Sequence, residues 1–245
     1  MDPVSSRPVP AATDQAIARH PHLAEPLPDG WVRVDCHSHT MWSGDATTTP
    51  DELLEAVEAS GIDVLCITDH STTNGAFELA EQLPCRVIVG EELRTGPGEL
   101  MGLFLKERIP FGVGPVEFCQ RVRAQGGIVY VPHPFDPTRN AMREDVLVQL
   151  ADQGLIDAIE TFNAKISLRH LNARAASFAE ERDLPGGAGS DAHIPDALGA
   201  GYVEMPDFDG PEGFLAGLRT GVIRGHHFDQ ARVWRPRIVP STKST

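Results

Sequence analysis

Two histidines one residue apart, His37 and His39, close the run "VRVDCHSHT", and Asp45 follows six positions after the second. Side chains of a strand alternate in direction, so Asp35, His37 and His39 share one face while Cys36 and Ser38 share the other. This is the spacing by which one strand offers two imidazoles to one metal ion. "GSDAH" repeats the device, with Asp191 in the first place and His193 in the second. His70 in "ITDH", Glu92 in "VIVGEEL", Glu99 in "GELMG" and His133 in "YVPHP" adjoin further apolar runs. An HxH pair alone carries little weight. Five histidines and several carboxylates at the ends of successive apolar runs carry far more. Imidazole mixed with carboxylate and free of thiolate suits Zn, Mn or Fe better than Ca, Mg or Cu(I). Eight or nine such ligands exceed what one tetrahedral ion takes, which implies two or three divalent ions. Clustered divalent ions suit hydrolysis of a phosphate ester, one generating hydroxide from water and the others stabilising the attacking and leaving oxygens. No GxSxG, GxxxxGK[ST] or GxGxxG run competes for the chemistry.

Ligands so dispersed need a scaffold that gathers strand ends. "VRVDCHSH", "IDVLCITDH", "CRVIVGEEL", "ELMGLFLKE", "IVYVPHP", "IDAIETFN", "AGYVEMP" and "TGVIRGHH" read as strands, with "GGAGSDAH" a short strand end. Between them "TPDELLEAVEASG" reads as a helix, with Thr49 as N-cap, Pro50 at N1, Glu52 completing a capping box and Gly61 as the stop. Helices are also predicted near 74–82 and 211–219, and over "GPVEFCQRVRAQGG", "REDVLVQLADQG" and "LRHLNARAASFAEERD". The alternation predicts an α/β fold with a mostly parallel sheet, closed into a barrel whose site lies at the strand C-termini. Periodicity does not itself distinguish an open sheet from a closed one. One barrel domain is expected over 29–238, with a loosely held arm over 1–28, holding one helical turn near 13–20, and a frayed tail over 239–245.

The chain has 245 residues and a net charge of −14, which argues against a general nucleic-acid binder. A small anionic substrate remains compatible, because bound cations reverse the local field. The four cysteines form no CxxC pair, and three sit in apolar runs as small buried hydrophobes. The first residues lack a signal-peptide pattern, and no stretch approaches 18 consecutive apolar residues, so a cytoplasmic, non-membrane protein is expected. His20, His22, His170, His226 and His227 fit no strand-end position. Glu160 and Asn163 could orient ligands, as could Asp35 and Asp69 beside them. Arg139, Lys165 and Arg169 follow site-forming strands and are candidate phosphate contacts.

Through residues 32–200 the chain resembles the PHP family, named for polymerase and histidinol phosphatase. "DCHSHT", "SGDATTTPDEL", "ITDH", "VIVGEE", "YVPHP" and "GSDAH" follow that family's motifs in order and spacing. The resemblance implies a distorted (β/α)7 barrel with a trinuclear centre and a metal-bridged hydroxide that attacks phosphorus. It implies that His37, His39, Glu92 and Asp191 hold one ion, and that Glu92 bridges to a second bound by His133. Asp45, His70 and His193 would hold a third. The G-x-E spacing selects Glu92 over Glu91. Two departures stand out. Glu99 occupies a place where the family usually has histidine, which would make the ion harder and favour Mn or Fe. Asp45 stands in S-x-D rather than S-D-G. The implied substrate is a small phosphorylated metabolite or nucleotide, with short oligonucleotides the one nucleic-acid option. Rival readings are an amidohydrolase of C–N or C–O bonds, which would want a lysine ligand that Lys106 and Lys165 are poorly placed to be, and a degenerate binding module. The sequence does not bear on oligomeric state.

Overall fold

The structure, a computed structural model, describes residues 10–230. The expected tail over 239–245 and the first nine residues of the expected arm lie outside the described residues. Among the described residues nine strands share one sheet: β1 Trp31–Ser38, β2 Val64–Ile67, β3 Arg86–Thr95, β4 Gly98–Leu103, β5 Ile128–Val131, β6 Ala158–Asn163, β7 Gly186–Gly189, β8 Gly201–Pro206 and β9 Val222–Gly225. Their order is β7-β6-β5-β4-β3-β2-β1-β8-β9. β7 curls round onto β1, because Ser38 bridges to Ala192, the Asp191 N–H donates to His37 O at 2.8 Å, and the His39 N–H donates to Ala192 O at 2.9 Å. The result is the nearly closed α/β barrel that the alternation predicts.

Its strand directions depart from a mostly parallel sheet. β1–β2, β2–β3, β5–β6 and β6–β7 are parallel, but β3–β4, β4–β5, β1–β8 and β8–β9 are antiparallel. The cause is local. Only Gly96 and Pro97 separate β3 from β4, and so short a link can make a hairpin but not a crossover.

The helices are α1 Asp14–Arg19, α2 Pro50–Ser60, α3 Asn74–Leu79, α4 Pro115–Ala124, α5 Glu144–Asp152, α6 His170–Glu181 and α7 Gly210–Thr220. α2 starts on the predicted capping box and stops at Gly61, whose left-handed φ of 67° suits glycine. One buried cluster joins β3–β6 to α4, α5 and α6 through Val129, Val131, Phe118, Leu147 and Phe178. A second joins Val34, Cys36, Cys66, Met101, Tyr130 and Phe214. All four cysteines are buried and free.

Residues 10–28 differ from the loose arm expected of them. α1 and the 3-10 turn Pro21–Ala24 pack Ala16 and Leu23 against Ile62 and Tyr202. Arg33 secures the segment by donating to the carbonyls of Leu23 and Glu25. Buried partners, rather than local periodicity, order this segment.

Candidate metal centre

The site is assembled at one end of the barrel by strand termini and the loops that follow them. His37 lies on β1 and His39 just beyond it, while His70 follows β2, Glu92 lies on β3 and Glu99 on β4. His133, Asp191 and His193 follow β5 and β7, and Asp45 comes from the loop between β1 and α2. His133 and Asp191 have φ of 26° and 48°, a region that non-glycine residues rarely occupy and that is found at functional positions.

All nine predicted ligands converge. His37 Nε2 lies 3.0 Å from His39 Nε2, 3.6 Å from Glu92 Oε2 and 3.8 Å from Asp191 Oδ1. His39 Nε2 is 3.3 Å from Glu92 Oε2 and 3.6 Å from Asp191 Oδ1. His133 Nε2 stands 3.0 Å from Glu92 Oε1 and 3.7 Å from Glu99 Oε2. Asp45 Oδ2 lies 3.4 Å from both His70 Nε2 and His193 Nε2, and His70 Nδ1 is 3.2 Å from Glu92 Oε2. Glu91, one residue from Glu92, points the other way and accepts from the Ile109 N–H. Strand alternation thus separates the two carboxylates as the G-x-E spacing implied.

The residues fit divalent metal on their own geometry. Four groups bring their ligand atoms within 4.8 Å of one another: His37, His39 and Glu92; His37, His133 and Asp191; Glu92, Glu99 and His133; His39, His70 and His193. Glu92 Oε2, Asp191 Oδ1 and Asp45 Oδ1 are buried acceptors without a hydrogen-bond donor. Burying carboxylate oxygens this way is costly unless a cation meets them.

A surrounding shell fixes the rings. His37 Nδ1 donates to Glu160 at 3.2 Å, leaving Nε2 for the cluster. Glu160 also accepts from the His133 backbone N–H at 2.6 Å and from Asn163 Nδ2 at 2.9 Å. Ser43 Oγ donates to Asp69 and lies 2.8 Å from His39 Nδ1, which orients that ring too. Asp35 accepts from the backbone N–H groups of His37 and Ser190, and burial pushes its carboxyl up to about 7.

The proton affinities show how tightly the charges are coupled. Burial opposes charge on His37, yet Asp191, Glu160 and Glu92 overcome it and hold the imidazole well above its usual value. Burial, and then the nearby His193, keep His39 well below it. For His70, Glu92 and Asp45 outweigh burial and raise the imidazole to about 9. Burial, and then the charge of Glu92, raise Glu99.

The expected phosphate contacts divide. Arg139 donates to Asp191 Oδ2 at 2.5 Å, and Lys165 lies 3.7 Å from Asp191 Oδ1 and 2.9 Å from His193 Nδ1. Arg169 is exposed at the N-cap of α6 and shares none of these ion pairs. Three contributors escape the sequence reading. Asn140 donates to Glu99 Oε1 at 3.0 Å. Gln230 accepts from the His193 N–H and donates to the carbonyls of Ser190 and Asp191, from 37 or more residues away in sequence. No local signal marks either of them. Arg94 lines a cavity of about 400 Å³ with Ser43, Asp45, His70, Ser71, Glu99 and Asn140. Strand alternation two residues beyond Glu92 could have found it.

Barrel and ligand set define an α/β-barrel protein with a histidine–carboxylate cluster fit for divalent metal. The chain belongs to the PHP domain family: the family's model matches residues 35–164, and a PHP-associated model matches 169–223. An uncharacterised protein of Methanocaldococcus jannaschii is 34% identical over 193 residues, 75% of this chain and 78% of its own length. A two-domain protein from Bacteroides vulgatus, described as containing a predicted PHP-like metal-dependent phosphoesterase, matches with a TM-score of 0.63. It is 20% identical over 82% of this chain and 67% of its own. An amidohydrolase from Chromobacterium violaceum, with bound sulfate and no metal, matches with a TM-score of 0.55. Its identity is 16%, over 68% of this chain and 89% of its own.

Proposed function

We propose that the protein is a metal-dependent phosphoesterase acting on a small phosphorylated metabolite or nucleotide. One observation carries the reading: buried oxygens of Glu92 and Asp191 that lack a hydrogen-bond donor stand among the imidazoles of His37, His39 and His133. In this reading His37, His39, Glu92 and Asp191 hold one divalent ion, Glu92, Glu99 and His133 a second, and Asp45, His70 and His193 a third. Bound ions would polarise phosphoryl oxygens and lower the pKa of water at this place. With two of these sites carrying carboxylate-rich ligand sets, Mn or Fe suits them at least as well as Zn.

The chain's own groups do the rest. Arg139 and Lys165 fix Asp191 and hold its carboxyl well below the usual range, against burial, so it stays ionised as a ligand. Burial lowers the Lys165 ammonium, and its side chain keeps 17% exposure. Arg139 keeps 13%, so both cations beside Asp191 are placed to reach a phosphoryl oxygen. An amidohydrolase would use a lysine as a metal ligand, whereas Lys165 pairs with Asp191 and His193 at the rim. No helix among the described residues is long and apolar enough to cross a membrane.

Metal-depleted protein, reloaded with Mn, Fe or Zn, should release phosphate from p-nitrophenyl phosphate. His37→Ala and Asp191→Ala should abolish the release. Turnover of amides or carboxylic esters alone, with metal bound, would overturn the reading.

A further inference from the structure

Among the described residues the Arg94 side chain is a cation without a partner, at the edge of a histidine–carboxylate cluster fit to hold divalent cations. The pairing of β3 with β4 runs unbroken from Gly90 to Thr95, so Glu92 and Arg94 project from the same face. Two residues of strand set Arg94 about 6.6 Å further along that face than the buried Glu92. Its partner in register is Glu99. That carboxylate is already engaged: Asn140 donates to Oε1, and Oε2 turns to His133 Nε2 at 3.7 Å. The Arg94 side chain is exposed and, among the described residues, has no hydrogen bond or ion pair. It nevertheless lines the cavity of about 400 Å³ whose wall includes Asp45, His70 and Glu99.

The other two cations of the site are placed differently. Arg139 and Lys165 both converge on Asp191, which follows β7. In the ring of β1 to β7, closed by the contacts of Ser38 with Ala192, β3 is three strands from β7 by one route and four by the other. Arg94 therefore stands across the barrel mouth from them. A phosphoryl group seated on the cluster would have Lys165 on one side. Whatever is esterified to it would extend toward Arg94.

We propose that Arg94 is a specificity residue that binds an acidic group on the alcohol portion of the substrate. The preferred substrate is then a phosphate monoester whose leaving alcohol carries a second anion, a carboxylate or another phosphate. An arginine suits either, since its planar fork pairs with both in bidentate fashion. The proposal rests on the phosphoesterase reading for the identity of the other end of the substrate.

The test separates the two claims by measuring binding and turnover independently. Metal-loaded full-length protein is assayed with phenyl phosphate, 4-carboxyphenyl phosphate and 1,4-phenylene bisphosphate. Calorimetry gives Kd for benzylphosphonate and 4-carboxybenzylphosphonate, which are not hydrolysed. Wild type should favour the acid-bearing member of each set. Arg94→Gln should reduce that preference about 10- to 100-fold, the weight of a charge-assisted contact, mainly through KM and Kd. Arg94→Lys should keep part of it. The ester with the larger loss identifies the second anion as carboxylate or phosphate. A preference in binding without any phosphate release supports Arg94 while overturning the phosphoesterase reading. Equal losses for plain and acid-bearing ligands in Arg94→Gln, or an undiminished preference, would overturn the assignment of Arg94.

Discussion

Glu160 is buried beneath the cluster and serves three groups at once: the His37 ring, the His133 backbone and the Asn163 amide. A glutamine there keeps the volume but offers only one acceptor oxygen, so His37 or His133 loses its orientation. Glu160→Gln should weaken metal affinity about 10- to 100-fold, read by competition with a fluorescent chelator. Unchanged affinity would reduce Glu160 to packing. The i, i+2 relation, being local, makes His37 with His39 and Asp191 with His193 legible in the sequence, and positions at the ends of apolar runs, together with the family-like motifs, make the other five candidate ligands legible. Gln230, Asn140 and Arg94 were not legible. The first two meet the site only because the topology returns distant chain to it, and the third looked like any polar strand end.

At the level of elements, the segment before β1 shows what local patterning misses. α1 has six residues, too few for a periodic stripe, and its order comes from Arg33, Tyr202 and His20. His20 is 1% exposed, with Nε2 3.0 Å from Asp196 O, against the rings of His226 and Phe228. Burial lowers its imidazole to about 4, although the Asp196 carbonyl works the other way. The folded value lies below the unfolded 6.5, so the unfolded chain binds the extra proton in between. Stability is therefore whole above 6.5 and is lost as pH falls toward 4. In a chain carrying His20→Phe, Tm should fall less between about pH 7 and about pH 5 than in wild type. An equal fall in both would remove His20 as a cause. The β3–β4 hairpin is the opposite case. Gly96 and Pro97 imposed antiparallel pairing on two strands that were legible individually, while their relative direction depended on weighing the length of the link.

Across the whole molecule, the cluster concentrates four carboxylates, Asp45, Glu92, Glu99 and Asp191, of a chain whose net charge is −14. Removing metal leaves those charges to face one another, so chelation should lower Tm. Reloading to about 100 times Kd should restore about 2.7 kcal/mol per independent site, measurable by thermal denaturation. A Tm indifferent to chelation would show that the cluster does not contribute to folding. Closure of the barrel was the global feature least available from periodicity, because a few backbone contacts around Ser38, Asp191 and Ala192 make it. β7 supplies the reason those contacts can form. It reads Gly-Gly-Ala-Gly, and a Cβ on Gly187 would collide with the Tyr130 hydroxyl, while one on Gly189 would collide with the His37 Cβ. The space that other strands give to their own side chains is lent here to Tyr130 and to a candidate metal ligand. In a saturation library scored for metal retention, this four-residue run should therefore be nearly blank, tolerating less change than the exposed loops around the mouth. Evolution can retune the substrate by redrawing those loops, but it has almost no alphabet left at the seam.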